Sequence, residues 1–146
     1  MAQMTLEQIA DKMRDIDVAM LVTRTGEGQL AARPMSHSGE VEENGVCYFF
    51  TTEDTGTVAD IAHDARVGLT FQGRGGIVGQ RPFLVAVEGV AEVIRDRGAF
   101  EAHWRQALTR WFARDLDTEG LVLLQIRANR IHYWDGDEAE GEISFI

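Results

Sequence analysis

Three strand-like runs follow one another in the first third of the chain, with no helical segment between them. They span residues 18–24 (VAMLVTR), 29–37 (QLAARPMSH) and 46–52 (VCYFFTT), and the turn TGEG separates the first two. A short turn joins neighbouring strands only in the antiparallel sense, so the first pair is a predicted hairpin. The order predicts three consecutive antiparallel strands, which would begin a barrel or a sandwich.

The remaining periodic patterns predict three helices. Thr5 and Gln8 form a capping-box pair at the start of an N-terminal amphipathic helix. A short helix follows the third strand, with Asp54 or Thr55 as its predicted cap. The third helix is predicted from Gly98 to Phe112, where apolar and aromatic residues recur at helical spacing and are expected to pack onto the barrel: Phe100, Trp104, Leu108, Trp111 and Phe112.

Further strands are predicted in the second half of the chain. One spans residues 66–72, and residues 81–96 form either two strands or one strand bent at Gly89. Residues 120–136 are predicted to hold two strands joined near Ala128 and Asn129, followed by an acidic tail. Strands and helices do not alternate in a regular β-α-β rhythm. The fold prediction is therefore a mainly β, mainly antiparallel barrel with helical additions, in a single domain over residues 1–146.

Composition narrows the class of partner. The chain has 24 acidic and 14 basic residues, for a net charge of −10, so its overall field repels nucleic acid and anionic membranes. No stretch approaches the length of a membrane span, and the N-terminus lacks the apolar segment of a secretory signal. These features predict a cytoplasmic protein without a nucleic-acid or membrane partner. The one cysteine, Cys47, lies in an apolar run and is expected to be a buried, inert thiol.

Several familiar catalytic and binding motifs are missing or incomplete. The stretch GRGGIVG at residues 73–79 has glycines like those of a dinucleotide fingerprint, but a strand follows it where that motif needs a helix. It is therefore interpreted as a hairpin loop. The four histidines show no spacing typical of metal ligands, and no serine or cysteine lies in a nucleophile-elbow setting. No metal site and no hydrolase site are predicted.

Two stretches make chemical sense together. The strand ARPM at residues 32–35 places Arg33 beside Pro34, which an edge or bulged strand tolerates. The stretch YFFTTEDTGTV at residues 48–58 runs from a strand end rich in threonine into a helix N-terminus, where hydroxyls and free backbone amides suit a phosphate. Arg33 would add a charged fork to such a site. The alternative, equally open from these residues alone, is a helix cap next to a solvent-facing arginine.

These two stretches resemble the flavin-binding split-barrel proteins of the pyridoxamine 5'-phosphate oxidase-like family, in particular its small general-stress-protein branch. The resemblance covers most of the chain, from the N-terminal helix to the final VLLQIRANRIHYWDG. It implies a six-stranded antiparallel split β-barrel with flanking helices. It also implies a homodimer with two flavin mononucleotide (FMN) sites in the clefts between subunits, and an oxidoreductase that acts on a small-molecule redox substrate.

The resemblance also assigns residues to the cofactor site. Arg33 matches the arginine that contacts the FMN phosphate, and Met35 lies on the strand beside the isoalloxazine ring. Phe50 and Thr51 match the strand end that lines the ring. The predicted cofactor contacts are completed by Thr52, Thr57 and Trp111. No catalytic acid or base is predicted, which is compatible with a flavin enzyme because the flavin itself carries the redox chemistry.

One departure from the family pattern concerns the phosphate. Members of the family usually place a lysine, often after another polar or basic residue, in the turn that follows the lining strand. Here Gly56 and Thr57 stand at those positions. Arg74 or Arg81 could supply the missing charge from the neighbouring loop. The alternative function is therefore a stress-related dimer that binds a flavin or a deazaflavin without turnover. A third possibility is an enzyme that uses a deazaflavin. The alternatives to FMN as cofactor are thus a deazaflavin or none.

Overall fold

The computed structural model describes residues 3–37, 39–42, 44–74, 79, 81–136 and 139–145. Within these residues the chain forms seven strands, three α-helices and two short 3-10 turns. The helices are α1 (Leu6–Arg14), α2 (Gly56–His63) and α3 (Arg97–His103). The strands are β1 (Val18–Arg24), β2 (Leu30–Ser36), β3 (Cys47–Thr52), β4 (Arg66–Gln72), β5 (Phe83–Ile94), β6 (Leu121–Asp135) and β7 (Ala139–Ser144).

The strands form one antiparallel sheet that curls without closing. Six strands follow the order β2-β1-β4-β5-β6-β3, and β7 pairs with β6 beside this path. β1 and β2 form the predicted hairpin, but β3 pairs with β6 and not with β2. The prediction of three successively paired strands is therefore wrong for the third. β2 and β3 are the two ends of the six-strand order and lie next to each other, so the split of the barrel runs between them.

One bulge lets the two longest strands bend together. β5 pairs along its whole length with residues 123–135 of β6, with a register shift between Glu88 and Gly89 that leaves Asn129 as the extra residue. The sequence predicted two strands joined near Ala128 and Asn129; the structure has one continuous strand, because a bulge bends a strand without ending it. The carbonyl of Asn129 accepts a hydrogen bond from the backbone N–H of Phe145.

The predicted acidic tail is not a tail in the structure, because the strand β7 occupies most of it.

The barrel interior holds the main hydrophobic core, and α1 closes one end of it. Thr5 and Gln8 form the predicted capping box, with both reciprocal hydrogen bonds present. The buried face of the helix consists of Ile9, Ala10 and Met13, and these pack with barrel residues from β1, β3, β4, β5 and β6. Cys47 is buried in the same core, and desolvation raises the pKa of its thiol to about 12. The expectation of an inert buried thiol is confirmed.

A second hydrophobic cluster joins the outer face of β3 to the segment that follows β5. The predicted helix from Gly98 to Phe112 is two pieces: α3 ends at His103, and a 3-10 turn covers Gln106–Arg110. Trp104 and Arg105 between them have extended backbone. His103 and Arg105 flank this break, and both contact the carboxylate of Glu40, which is mostly buried. A largely buried carboxylate requires such partners, so tertiary contacts override the helical period here.

Candidate functional site

The edge strand β2 turns its residues alternately to the two faces of the sheet. Met35 lies opposite Ala19 and faces the barrel interior, whereas Pro34 lies opposite Met20 and faces outward. β2 pairs with β1 only, which confirms the prediction of an edge strand. An edge strand has no ladder hydrogen bonds on its open side, so a proline, which lacks an N–H, costs the sheet nothing there. This open edge forms one wall of the split.

A cleft of about 280 Å³ lies in the split between β2 and β3. It brings together four of the predicted site residues: Met35, Phe50, Thr51 and Trp111. The predicted residues Arg33, Thr52 and Thr57 do not line it. Four further lining residues were not predicted from the sequence, namely Val18, Pro34, Ser36 and Phe112. Val18, Pro34 and Ser36 share the outward face of the hairpin of β1 and β2, so the alternation of the two strands is the signal that groups them.

The wall formed by β3 is held in place by aromatic packing. The ring of Phe50 meets those of Phe100 and Trp104 edge-on, at centroid distances of 5.9 and 5.0 Å. Trp104 in turn meets Phe112 at 5.9 Å. Edge-to-face pairs at these distances are favourable arrangements of aromatic side chains. The cleft therefore has a preformed apolar wall, with the hydroxyl of Thr51 at the end of the strand.

Trp111 forms the outer part of the cleft. It follows the 3-10 turn Gln106–Arg110, whose Leu108 is buried and fixes the turn to the second hydrophobic cluster. The expectation that Trp111 packs with Trp104 and Phe112 onto the barrel is wrong, because 56% of its surface is exposed. Without the predicted continuous helix, Trp111 turns away from the core. A large exposed aromatic beside an apolar cleft can cover a planar ligand.

Arg33 points to helix α2 and not into the cleft. Its guanidinium donates to the hydroxyl of Thr23 at 2.8 Å and to a carboxylate oxygen of Asp60 at 3.2 Å. The hydroxyl of Thr23 donates to the same oxygen of Asp60 at 2.7 Å. The three side chains form a closed, half-buried group, with side-chain exposures of 25% for Arg33 and 12% for Asp60. Asp60 thus neutralises the charge that the sequence assigned to an anion.

Thr52 and Thr57 belong to the turn that leads into α2. The hydroxyl of Thr52 donates to Asp54, and its carbonyl accepts from the hydroxyl of Thr55. Thr55 is the cap residue, as one of the two predictions had it, but its side chain makes no capping hydrogen bond. Thr57 is buried in the first turn of α2. Gly56 beside it is exposed, and a Cβ there would meet open space.

His37 lies beside the cleft and was assigned no role from the sequence. It continues the inward-facing series of β2 two residues after Met35, and with Trp111, Leu108 and Arg110 it lines a small cavity of about 50 Å³. Its ring is buried next to Phe49 and Phe71, and its Nδ1–H donates to the carbonyl of Ile16 at 2.8 Å.

The other ring nitrogen of His37, Nε2, is buried without a hydrogen-bond partner. Desolvation by burial lowers the pKa of this imidazole, an effect only partly opposed by the Ile16 carbonyl and by Asp17. The neutral form is therefore favoured, with the proton on Nδ1, because a carbonyl can only accept a hydrogen bond.

Among the described residues, no group of three or more His, Cys, Asp or Glu side chains could hold a metal ion. None of the helices in the described part of the chain is long and apolar enough to cross a membrane. The centre of the GRGGIVG stretch, residues 75–78, lies outside the described residues.

The fold is shared with several solved structures. General stress protein 26 from Bacillus anthracis is 20% identical with a TM-score of 0.75, and the alignment covers 96% of this chain and 98% of that one. A protein from Clostridium acetobutylicum related to general stress protein 26, of the pyridoxinephosphate oxidase family, is 14% identical with a TM-score of 0.77, covering 96% and 94%. A heme binding protein from Mycobacterium smegmatis is 17% identical with a TM-score of 0.79, covering 99% and 59%.

These likenesses show the split-barrel fold, which confirms the predicted fold class. Among proteins with curated descriptions, none matches the sequence. The family model described as "Pyridoxamine 5'-phosphate oxidase like" matches residues 4–146. That match spans nearly the whole chain, so the protein belongs to the pyridoxamine 5'-phosphate oxidase-like family.

Proposed function

We propose that this protein binds a flavin in the cleft between β2 and β3 and acts as a flavin-dependent oxidoreductase of the general-stress-protein type. The observation that carries the proposal is the cleft itself, which collects Met35, Phe50, Thr51 and Trp111 in a protein of this family. The family resemblance assigned Met35, Phe50 and Thr51 to the flavin ring, Trp111 was predicted as a further cofactor contact, and all four line one cleft.

The lining and the volume of the cleft suit the ring of a flavin. Its walls are mainly apolar and aromatic, as suits a flat heteroaromatic ring, and its volume of about 280 Å³ is near the lower end for small-molecule sites. On the open side of β2 Pro34 has no N–H, and on β3 the Tyr48 N–H donates to the Glu40 carbonyl. Elsewhere along the cleft these two edge strands offer backbone groups that have no ladder partner. Such groups can pair with the polar edge of the ring. The hydroxyls of Ser36 and Thr51 add two further hydrogen-bonding partners.

The residues fit the phosphate of FMN less well than they fit the ring. Arg33, the arginine that the resemblance assigns to the phosphate, is engaged by Asp60 and Thr23. Gly56 and Thr57 supply no charge at the start of α2. A phosphate with nearly two negative charges would therefore meet a site with little net positive charge. The residues therefore support binding of the flavin through its ring more than through its phosphate.

A bound flavin supplies electron and hydride transfer, so the protein needs to provide binding, orientation and a place for the substrate. Phe50 holds one side of the cleft rigidly, and Trp111 can cover the other side and exclude water. None of the lining side chains is an acid or base. Substrates whose reduction or oxidation needs no protein proton donor are therefore expected.

We also propose that the working unit is a homodimer. The outward faces of β1 and β2 carry large apolar side chains that are exposed in the single chain, among them Val18, Met20 and Leu30. Exposed apolar patches of this kind mark interaction surfaces. Val18 also lines the cleft, so a second chain seated on this face would stand next to the proposed flavin.

The test is an absorption spectrum of freshly purified protein, with any released chromophore identified by mass. A flavin that NADH or NADPH reduces and an acceptor reoxidises over repeated cycles supports the proposed oxidoreductase. Bound flavin or deazaflavin without turnover supports the alternative, a non-catalytic binding protein, which the lack of titratable lining groups also favours. A colourless protein that binds neither FMN nor riboflavin, or one with a heme Soret band, overturns the proposal.

A further inference from the structure

We propose that Asp60 determines the flavin specificity of this site, because it holds Arg33 and so removes most of the advantage that FMN would have over riboflavin. The inference rests on the proposed function, since it concerns the phosphate end of the same flavin site. It assigns a specificity role to a residue that does not line the cleft.

The contacts of Arg33 leave little of its charge for a ligand. One terminal nitrogen donates to Thr23 and the other to Asp60, at 2.8 and 3.2 Å. The hydroxyl of Thr23 accepts from Arg33 and donates to Asp60, so its hydrogen is fully used. An arginine has five N–H donors, so some remain for a phosphate. They belong to a guanidinium whose charge is already compensated at short range.

A phosphate has two ways to bind here, and each carries a cost. It can displace Asp60 from Arg33, which leaves a carboxylate that is only 12% exposed with Thr23 as its remaining partner. Alternatively, it can bind beside the intact pair, where the Asp60 carboxylate repels it. Riboflavin has the same ring but no phosphate, so Asp60 does not act on it in either way. The ratio of the two dissociation constants therefore isolates the effect of Asp60.

The experiment measures the dissociation constants of riboflavin and FMN, by flavin-fluorescence titration, for the natural protein and for Asp60→Asn. The substitution keeps the size of the side chain and removes its charge. We expect FMN to bind about tenfold more tightly to the variant, the effect of freeing one charge-assisted hydrogen bond. Riboflavin affinity should change by less than about twofold, because no charge of the ligand is near Asp60. Asp60→Ser should act in the same direction.

Two further variants serve as controls. Asp64→Asn makes the same charge change at the end of the same helix, but Asp64 pairs with Arg66 and not with Arg33. It should leave the ratio unchanged. Adding Arg33→Gln to Asp60→Asn should remove the gain for FMN, because the gain requires the freed guanidinium.

The possible outcomes separate this inference from the proposed function. A higher preference for FMN in Asp60→Asn, lost again with Arg33→Gln, supports the role of Asp60. An unchanged or lower preference, with riboflavin still bound, overturns the inference and leaves the flavin site standing. Failure of both flavins to bind the natural protein and the variants overturns the proposed function, and the inference with it.

Discussion

At the scale of single residues, His37 is a buried imidazole with only one of its two nitrogens satisfied. Nδ1–H is used by the Ile16 carbonyl, and Nε2 has no partner. Protonation would place a charge between Phe49 and Phe71, where only the Ile16 carbonyl and Asp17 favour it. Arg110, which lines the same small cavity, would oppose it. The folded protein therefore prefers the neutral ring, and the pKa of His37 lies below its ordinary value of 6.5.

This lowered pKa predicts a loss of stability in mild acid. As the pH falls below 6.5, the unfolded chain binds a proton that folded His37 refuses, so the free energy of unfolding falls. One such group contributes at most about 1.4 kcal/mol per pH unit. Above pH 6.5 the contribution vanishes, since the ring is neutral in both states. Urea unfolding at a series of pH values, from 6.5 down to the onset of carboxylate titration, measures this effect. The free energy of unfolding should depend less steeply on pH for His37→Asn than for the natural protein.

The exposed His63 offers the matched control. His63→Asn should keep the pH dependence of the natural protein. If the free energy of unfolding depended equally steeply on pH in the natural protein and in His37→Asn, the lowered pKa of His37 would be contradicted.

The sequence predicted the positions of some site residues but not the partners of others. The family resemblance placed Met35, Phe50 and Thr51 together at one site, and the structure brings them to one cleft. Their contact with a cofactor stays a prediction. The partner of Arg33 was not predictable. Asp60 lies 27 residues further along, on a helix whose rotation against the sheet depends on packing that no local pattern encodes. The orphaned nitrogen of His37 likewise depends on neighbours from other strands.

At the scale of elements, the bulge in β5 and β6 shapes the barrel. A Cβ on Gly89 would come within 2.5 Å of the Arg127 carbonyl oxygen, a backbone atom that cannot swing away. Glycine is therefore required where the two long strands cross most closely. Strand boundaries such as Val18–Arg24 and Arg66–Gln72 were predictable from alternation and turns. The break after α3 was not, because it depends on Glu40, far away in sequence.

Gly89→Ala should destabilise the protein by roughly 1 to 3 kcal/mol, the usual cost of overpacking. The measurement is the midpoint of chemical unfolding. Gly68→Ala is the control, since its Cβ would meet Val22 at an ordinary contact distance of 3.6 Å. If both alanine variants lost the same stability, the close approach at Gly89 would not be the cause.

At the scale of the whole molecule, charge and apolar surface act at different places. The net charge of −10 acts against anionic partners at long range, so an anionic ligand depends on local cations. Arg33 is one such cation, and Asp60 compensates it. The exposed apolar side chains of β1 and β2 lie on the face that we propose a second chain covers. The general outline of the fold was predictable from strand and helix patterns, whereas pairing of β3 with β6 depends on contacts distant in sequence.

The proposed dimer predicts a mass of two chains by light scattering. Met20→Glu places a charge in the centre of the apolar face and should shift the protein toward one chain, because an unpaired charge is costly at an interface core. Phe145→Glu, at an aromatic of similar exposure outside that face, should leave the mass unchanged. A natural protein that remains a monomer at high concentration would rule out the dimer.

The most direct test of the central claim is a flavin titration that compares two aromatic substitutions. Trp111→Ala removes a side chain that lines the cleft, and Phe145→Ala removes one that does not. We expect saturable binding of one flavin per chain to the natural protein. Trp111→Ala should bind flavin about tenfold more weakly, because one aromatic stacking contact is lost, and Phe145→Ala should bind it with unchanged affinity. Absent binding to the natural protein, or equal affinities for Trp111→Ala and the natural protein, would contradict the proposed flavin site.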